Sequence, residues 1–515
     1  MKKAALLFGL VALLPRACLA AAQGIVLVPL DDRPVTLQLP QMLASIAGVR
    51  IATPPKTMIG HFLTPGNPEM IASWLQSADI ANAQAFVLST DMLAYGGLIA
   101  SRTPQTPEHV AVARLRVLSA LRQRHPDAWI GAFGTIMRLA PTGVPSLGQA
   151  RGFFAAYPMW DYLQQYANLH DPPLPEEEAS AEHLRQLIGP VVLSQYLEAR
   201  ARNREVDRFA LRLTAQGDVN RYVLGQDDAG AVGLHIKDVT ALRSDVESLK
   251  IADRASIEPG ADELAMALVA HALAWRVGWS PRIAVRYSSA NGASFNDPLE
   301  FVPVDQTIDS LISLCGGIRD DRKPDITLYV RVPDGFDTED PTLLAAIEGD
   351  LAAHKSVAVA DLTFLEPTFT HQAAFAQGLI MSGIAGKLDA YASWNTSANT
   401  IGTALAEAIA AGAGRRARTY DAVAHAQFML NRFIDDYAYH AYVRPALNAE
   451  LDARRVDHSY LLPEDALFTD HRNRMLLWRQ AVELKREIYP QYKDAGLTIT
   501  LPWERTFETQ IDVRL

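Results

Sequence analysis

The chain has 515 residues, of which 49% are hydrophobic and 21% charged. That composition excludes a disordered, collagenous or coiled-coil protein, and the length allows two or three domains or one large α/β domain with insertions. The formal net charge is −10 with no long basic run, and two cysteines cannot build a disulfide framework or a thiolate zinc site. A nucleic-acid surface is therefore not expected, because phosphate binding needs clustered Lys and Arg.

The first residues read as an export signal, residues 1–22. Lys2 and Lys3 precede the apolar stretch Ala4 to Leu14, and small residues follow around Cys18 and Ala20. The stretch is too short to span a bilayer but suits a signal segment. Lipid attachment at Cys18 is the rival reading. The implied location is periplasmic or secreted, with no integral membrane segment in the mature chain.

Short apolar runs then recur at Ile25–Pro29, Arg50–Ala52, Ala85–Ser89, Trp129–Gly134, Tyr222–Gly225, Ile283–Arg286, Ile326–Val330 and Val357–Ala360. A weaker ninth lies at Leu388–Ser393. Runs of this length, alternating with helical stretches, predict parallel strands covered on both faces. Eight or nine of them suit a (β/α)8-like barrel. The alternative is two Rossmann-like, doubly wound halves split near residue 220. The expected division is an α/β catalytic-type domain over 23–400, carrying a helical insertion at 150–215, then a helical region with terminal strands over 401–515. The insertion holds an apolar helix face at Met159, Tyr162, Tyr166 and Leu169, which suits a cap over the site.

In parallel α/β folds the loops after the strands converge on one face. The residues following each run are therefore the candidate site: Asp31, Asp32 and Arg33; Asp91; Arg138; Asp227 and Asp228; Tyr287; Asp361; Trp394 and Asn395. Glu263 joins them at the start of the next helix. Plainer roles are available for several. One of Asp31 and Asp32 could hold the turn before Pro34, Arg33 and Arg138 could serve only as ion-pair partners, and Asp91 could cap a helix. Asp262 and Glu263 would offset a helix dipole.

Asp227 and Asp228 are the sharpest feature and the predicted catalytic pair. Two adjacent carboxylates cannot both ionise cheaply, so one becomes a proton donor beside an anion. That is glycosidase-type chemistry. A divalent metal held by Asp31, Asp32, Asp91, Asp227 and Asp228 is the competing chemistry. Nucleotide and other organic cofactors are not expected, since no Gly-x-Gly-x-x-Gly or Walker-type loop follows a strand. His61 and His235 lack the spacing of a zinc helix and read as surface or packed residues.

Several segments together resemble one family. Val28-Pro29-Leu30-Asp31-Asp32-Arg33-Pro34-Val35, Asp91 to Leu98, Gly225-Gln226-Asp227-Asp228, Pro259 to Glu263, Trp394-Asn395-Thr396 and Leu501 to Glu508 are similar to motifs of the bacterial DUF4127 family. The likeness spans nearly the whole mature chain and implies homology without naming a reaction. Glu504 stands where Asn is expected. Separately, the Asp227-Asp228 pair is similar to the neighbouring aspartates of family 84 N-acetylglucosaminidases. There one Asp orients the acetamido group of the substrate and the next is the general acid. The expected function is an exported glycoside hydrolase-like enzyme acting on a carbohydrate of the cell envelope or environment. A non-catalytic periplasmic glycan-binding protein and a metal-dependent hydrolase are the alternatives.

Overall fold

The computed structural model describes residues 24–77, 80–140, 174–335, 338–365, 373–492 and 496–515. Residues 1–22, read from sequence as an export signal, and Met159 to Leu169, read as an apolar helix face, lie outside the described residues. The strands are β1 (Ile25–Val28), β2 (Ile51–Ala52), β3 (Ala85–Ser89), β4 (Trp129–Ile136), β5 (Arg221–Gln226), β6 (Ala255–Pro259), β7 (Arg282–Tyr287), β8 (Ile318–Arg319), β9 (Ile326–Arg331), β10 (Val357–Asp361), β11 (Ala390–Ala392), β12 (Gly496–Thr500) and β13 (Gln510–Arg514).

The chain is mixed α/β with parallel sheets. One sheet has the order β2-β1-β3-β4-β5-β6 and a second the order β11-β10-β9-β7-β8. Every pairing in both is parallel. Strands β12 and β13 form a separate antiparallel pair. Among the described residues no closed barrel forms, because no ladder joins the two sheets. Nor does a division fall near residue 220, which lies between β4 and β5 of the first sheet. It falls between Pro259, at the end of β6, and Arg282, at the start of β7.

Alternate residues explain the layers. Ile25 and Leu27 of β1 face a core shared by both sheets, whereas Val26 and Val28 face a core on the other side. Between the sheets lie helices Leu39–Ile46, Leu264–Arg276, Val304–Leu314 and Ser397–Ala417. Leu264–Arg276 is apolar around most of its circumference, as a helix buried on all sides must be. Ser397–Ala417 runs unbroken through residue 400 and is buried from Ser397 to Gly414. Its glycines permit close approach. A Cβ at Gly402 would lie 2.6 Å from the Glu263 side chain, and one at Gly412 would lie 2.5 Å from the Trp279 ring.

The outer face of the first sheet is covered by helices that include Val117–Arg124, Pro190–Gln216 and Leu234–Leu249. The outer face of the second carries Ala422–Arg432, the π-helix Phe433–Val443 and Pro463–Ile488. Crossover direction reverses beside β1: the connection to β2 runs one way along the sheet, and those from β3 onward run the other. Carboxyl ends on either side of such a reversal splay apart and leave a crevice. The Asp31-Asp32-Arg33 and Thr90-Asp91 segments sit at that reversal.

Helix Pro190–Gln216 serves two purposes. Val206, Ala210 and Leu211 pack on the first sheet as ordinary crossover scaffold. Leu193, Tyr196 and Ala199 pack instead on Met137, Leu139, Ala229 and Leu234, next to the carboxyl ends of β4 and β5.

Candidate functional site

The turn after β1 is organised around Arg33. Its Nε donates to both oxygens of Asp31 at 3.0 Å, and its terminal nitrogens donate to Asp262 at 3.0 and 2.7 Å. Asp31 also accepts the Arg33 backbone N–H at 3.1 Å and the Thr36 hydroxyl at 2.7 Å. Of the two neighbouring aspartates, Asp31 is thus the one that holds the turn. Burial alone would lower the Arg33 pKa, but the Asp262 and Asp31 carboxylates outweigh it and raise it. Arg33 is an organiser, fully engaged and 4% exposed.

Asp32 turns the other way. It accepts from the Trp503 indole N–H at 2.7 Å and meets His61 Nδ1 at 2.8 Å. Trp503 stacks on Phe62, with ring centroids 5.0 Å apart, and the Arg33 guanidinium lies 5.1 Å from its ring. The loop bearing His61 is pinned by glycines. Gly96 has φ +95°, and a Cβ there would sit 2.6 Å from the Gly66 carbonyl oxygen. Only glycine fits that approach.

After β3, the helix Thr90–Tyr95 is capped by Ser89, whose side chain accepts from the Met92 N–H at 3.1 Å. Asp91 is therefore not the cap. It lies buried in the first turn and accepts the Thr135 hydroxyl at 3.1 Å. Burial pushes its pKa up to about 7.

The pair after β5 divides by environment. Asp227 is 5% exposed and ion-paired to the buried Arg102. Burial opposes its charge, but Arg102 and Arg138 more than compensate and lower its pKa. Asp228 is half-buried and has no hydrogen-bond partner among the described residues. Burial first, and then the Asp227 charge, push its pKa up to about 7. One member is thus a fixed anion and the other a carboxyl poised near neutrality.

Residues 25–512 match the family described as "Protein of unknown function (DUF4127)". The chain belongs to this family. No curated protein matches, and no solved structure matches. The DUF4127 motifs are far apart in sequence, yet the structure gathers them. Asp31-Asp32-Arg33, Asp227-Asp228, Asp262 and the closing segment with Trp503, Arg505 and Glu508 meet at the carboxyl end of the first sheet. A cavity of about 20 Å³, room for about one water, lies beside them. It is bounded by Arg33, Asp262, Trp394, Arg432, Asp435 and Glu508.

Other predicted residues go elsewhere. Glu263 does not turn toward the Asp227 pair. It is fully buried against Ser397–Ala417, accepts from the Asn399 amide at 2.6 Å, and burial raises its pKa well above normal. Tyr287 donates to Asp305 at 2.5 Å on the second sheet, where Arg319 also pairs with Asp305. Asp361 accepts the Thr363 hydroxyl at 2.7 Å. Trp394 is a buried core residue whose indole donates to Thr403 at 3.2 Å. Asn395 adopts φ +54° and donates to Asn399 at 2.6 Å. His235 is buried, with Nε2 2.7 Å from the Gly230 carbonyl. Of the five aspartates considered for a cation, Asp31, Asp32, Asp91 and Asp227 are held by different partners, and among the described residues no group of three or more His, Cys, Asp or Glu is arranged to hold a metal ion.

Arg102 escaped the sequence reading because it follows no strand and lies in no conspicuous motif. The Asp32–His61–Trp503 contact escaped it because its members are far apart in the chain. No helix among the described residues is long and apolar enough to cross a membrane.

Proposed function

We propose that this DUF4127 protein is a hydrolase of the two-carboxylate type, acting on a glycan of the cell envelope or environment. One observation carries the reading. The neighbouring carboxylates Asp31, Asp227 and Asp262 are each paired with an arginine, whereas Asp228 is not. A half-buried carboxyl with a pKa of about 7 beside a permanent anion suits a general acid at neutral pH. In this reading Asp228 protonates the leaving-group oxygen. Asp227, locked by Arg102, keeps the Asp228 proton in place before the reaction and stabilises positive charge developing nearby. The apolar surface of Leu193, Tyr196 and Ala199 beside β4 and β5 supports a partly covered site.

The same locking of Asp227 favours the second reading, a non-catalytic glycan-binding protein, because a paired carboxylate is a poor nucleophile. We read the two parallel sheets as two doubly wound halves. Export to the periplasm or medium is part of the proposal and rests on Lys2, Lys3 and the apolar stretch to Leu14.

The test compares wild type with Asp228→Asn on a panel of glycans, reading reducing-sugar release and binding. The expected result is release by wild type and a loss of about 100-fold or more in the variant, both remaining folded. Equal binding by both proteins with no release from any glycan would leave the binding-protein reading in its place.

A further inference from the structure

Four arginines lie about the Asp227-Asp228 pair: Arg33, Arg102 and Arg138 act on Asp227, and Arg505 acts on Arg138. Three have carboxylate partners at contact distance: Arg33 with Asp31 and Asp262, Arg102 with Asp227, and Arg505 with Glu508. Arg138, just past the end of β4, differs. Its Nε donates to the Ala140 carbonyl at 3.0 Å. Among the described residues its two terminal nitrogens have no hydrogen-bond partner, and no carboxylate lies within ion-pairing distance. Asp227 and Asp228 are near enough to favour its charge, and Arg102 and Arg505 near enough to oppose it. Burial and the neighbouring Arg102 lower its pKa to about 10, so it remains cationic at neutral pH.

Holding a guanidinium half-buried without a carboxylate in contact costs stability. A protein that retains one at a strand end, beside a proton donor, gains if a ligand supplies the missing anion. The planar fork of two free N–H groups matches an oxyanion. The gap between Arg138 and Asp228 is also wide enough that the two form no direct ion pair.

We infer that Arg138 recognises an oxyanion substituent, a carboxylate or a phosphate, on the sugar bound next to Asp228. The substrate class is thus an acidic glycan. This inference rests on the reading of Asp228 as the acid of the same site, but binding can be measured without catalysis.

The experiment is calorimetric titration of the whole protein with three probes of equal length: an oligogalacturonate, a glycerol-phosphate oligomer and a neutral cello-oligosaccharide. Wild type, Arg138→Gln and Arg138→Lys are compared. The expected result is that wild type prefers one anionic probe to the neutral one by about tenfold or more. Which probe wins identifies the anion. Arg138→Gln removes that preference, Arg138→Lys keeps part of it, and added salt weakens it. Arg138→Gln should lower the melting temperature without ligand only slightly, since it gives up the Nε bond to Ala140 and a charge near Asp227 but no ion pair. Equal affinity for all three probes, or a preference that survives in Arg138→Gln, overturns the inference. Arg138-dependent anion binding without hydrolysis of any glycan would refute the hydrolase and leave the inference standing. Asp228-dependent hydrolysis of neutral glycans, at rates unchanged in Arg138→Gln, would do the reverse.

Discussion

The Arg33 knot supports an asymmetric prediction. One buried guanidinium is shared by two buried carboxylates, Asp31 and Asp262, which follow β1 and β6. Arg33→Met leaves two carboxylates facing each other with no cation in contact. Asp262→Leu leaves a neutral Arg33–Asp31 pair and forfeits two charge-assisted hydrogen bonds. Stranding buried charge costs about 3–5 kcal/mol, and Arg33→Met belongs near the top of that range. Losing hydrogen bonds to a charged group while keeping charge balance costs about 2–3 kcal/mol. The double variant should cost less than the sum of the singles by about 2 kcal/mol, since the residues are in direct contact. Urea unfolding at pH 7, followed by circular dichroism, measures all three. The reasoning fails if Asp262→Leu costs as much as Arg33→Met, or if the two effects add to within about 0.5 kcal/mol.

Three shorter predictions accompany it. Burial drives Glu263 toward its protonated form, so Glu263→Gln should shift stability by less than about 1 kcal/mol, whereas Glu263→Ala should cost about 2–4 kcal/mol through a cavity and an unpaired Asn399; thermal melts of both decide it. Asp228 binds its proton more tightly when folded, with a pKa of about 7 against an ordinary 3.8. Between about pH 4 and 7 the folded chain therefore holds more protons, and this group's contribution to stability falls as pH rises. Asp228→Asn should gain stability relative to wild type across that window, and a flat difference in unfolding free energy would contradict this. Trp503→Phe removes the donor to Asp32 and should cost about 1.5–3 kcal/mol, with faster proteolysis of the closing segment; an unchanged melting temperature would mean the contact contributes nothing.

Much of the sheet was legible. The run Ala85–Ser89 coincides with β3, and each of the other apolar runs overlaps a strand, because both faces of a covered parallel strand must be apolar. Two strands were missed for a reason in their residues. β6 reads Ala-Ser-Ile-Glu-Pro, with one strongly apolar side chain, yet Glu258 is buried there. β8 has two residues. Strand number and spacing could not separate one closed ring from two open sheets, since that depends on which strand pairs with which. Strand-end position pointed to Asp31, Asp32, Arg33, Asp91, Arg138, Asp227 and Asp228, and the structure gathers these residues at one end of the first sheet. The same rule carried Tyr287 and Asp361 to the ends of the second sheet. Partners such as Arg102 and Trp503 were not legible, because long-range ion pairs and indole contacts leave no local periodicity.

Helix Leu264–Arg276 connects the two sheets in sequence and packs on the first, Ser397–Ala417 packs on the second, and the two helices pack on each other in one shared core. Both are buried along most of their length, and the polar stripe Asn399, Thr403 and Glu407 of the second is spent on internal hydrogen bonds. Swinging the sheets apart would wet nearly the whole circumference of two helices at once, at about 25 cal/mol for each Å² of apolar surface. Among the described residues this shared core therefore leaves no hinge between the sheets of the kind many two-lobed proteins use to admit and release ligands. On the proposed reading of Asp228 as the acid, a ligand reaches it over the rim, between loops, while the floor of the site stays fixed. Such a floor favours ligands that match it as it stands and gives little freedom to mould it around others.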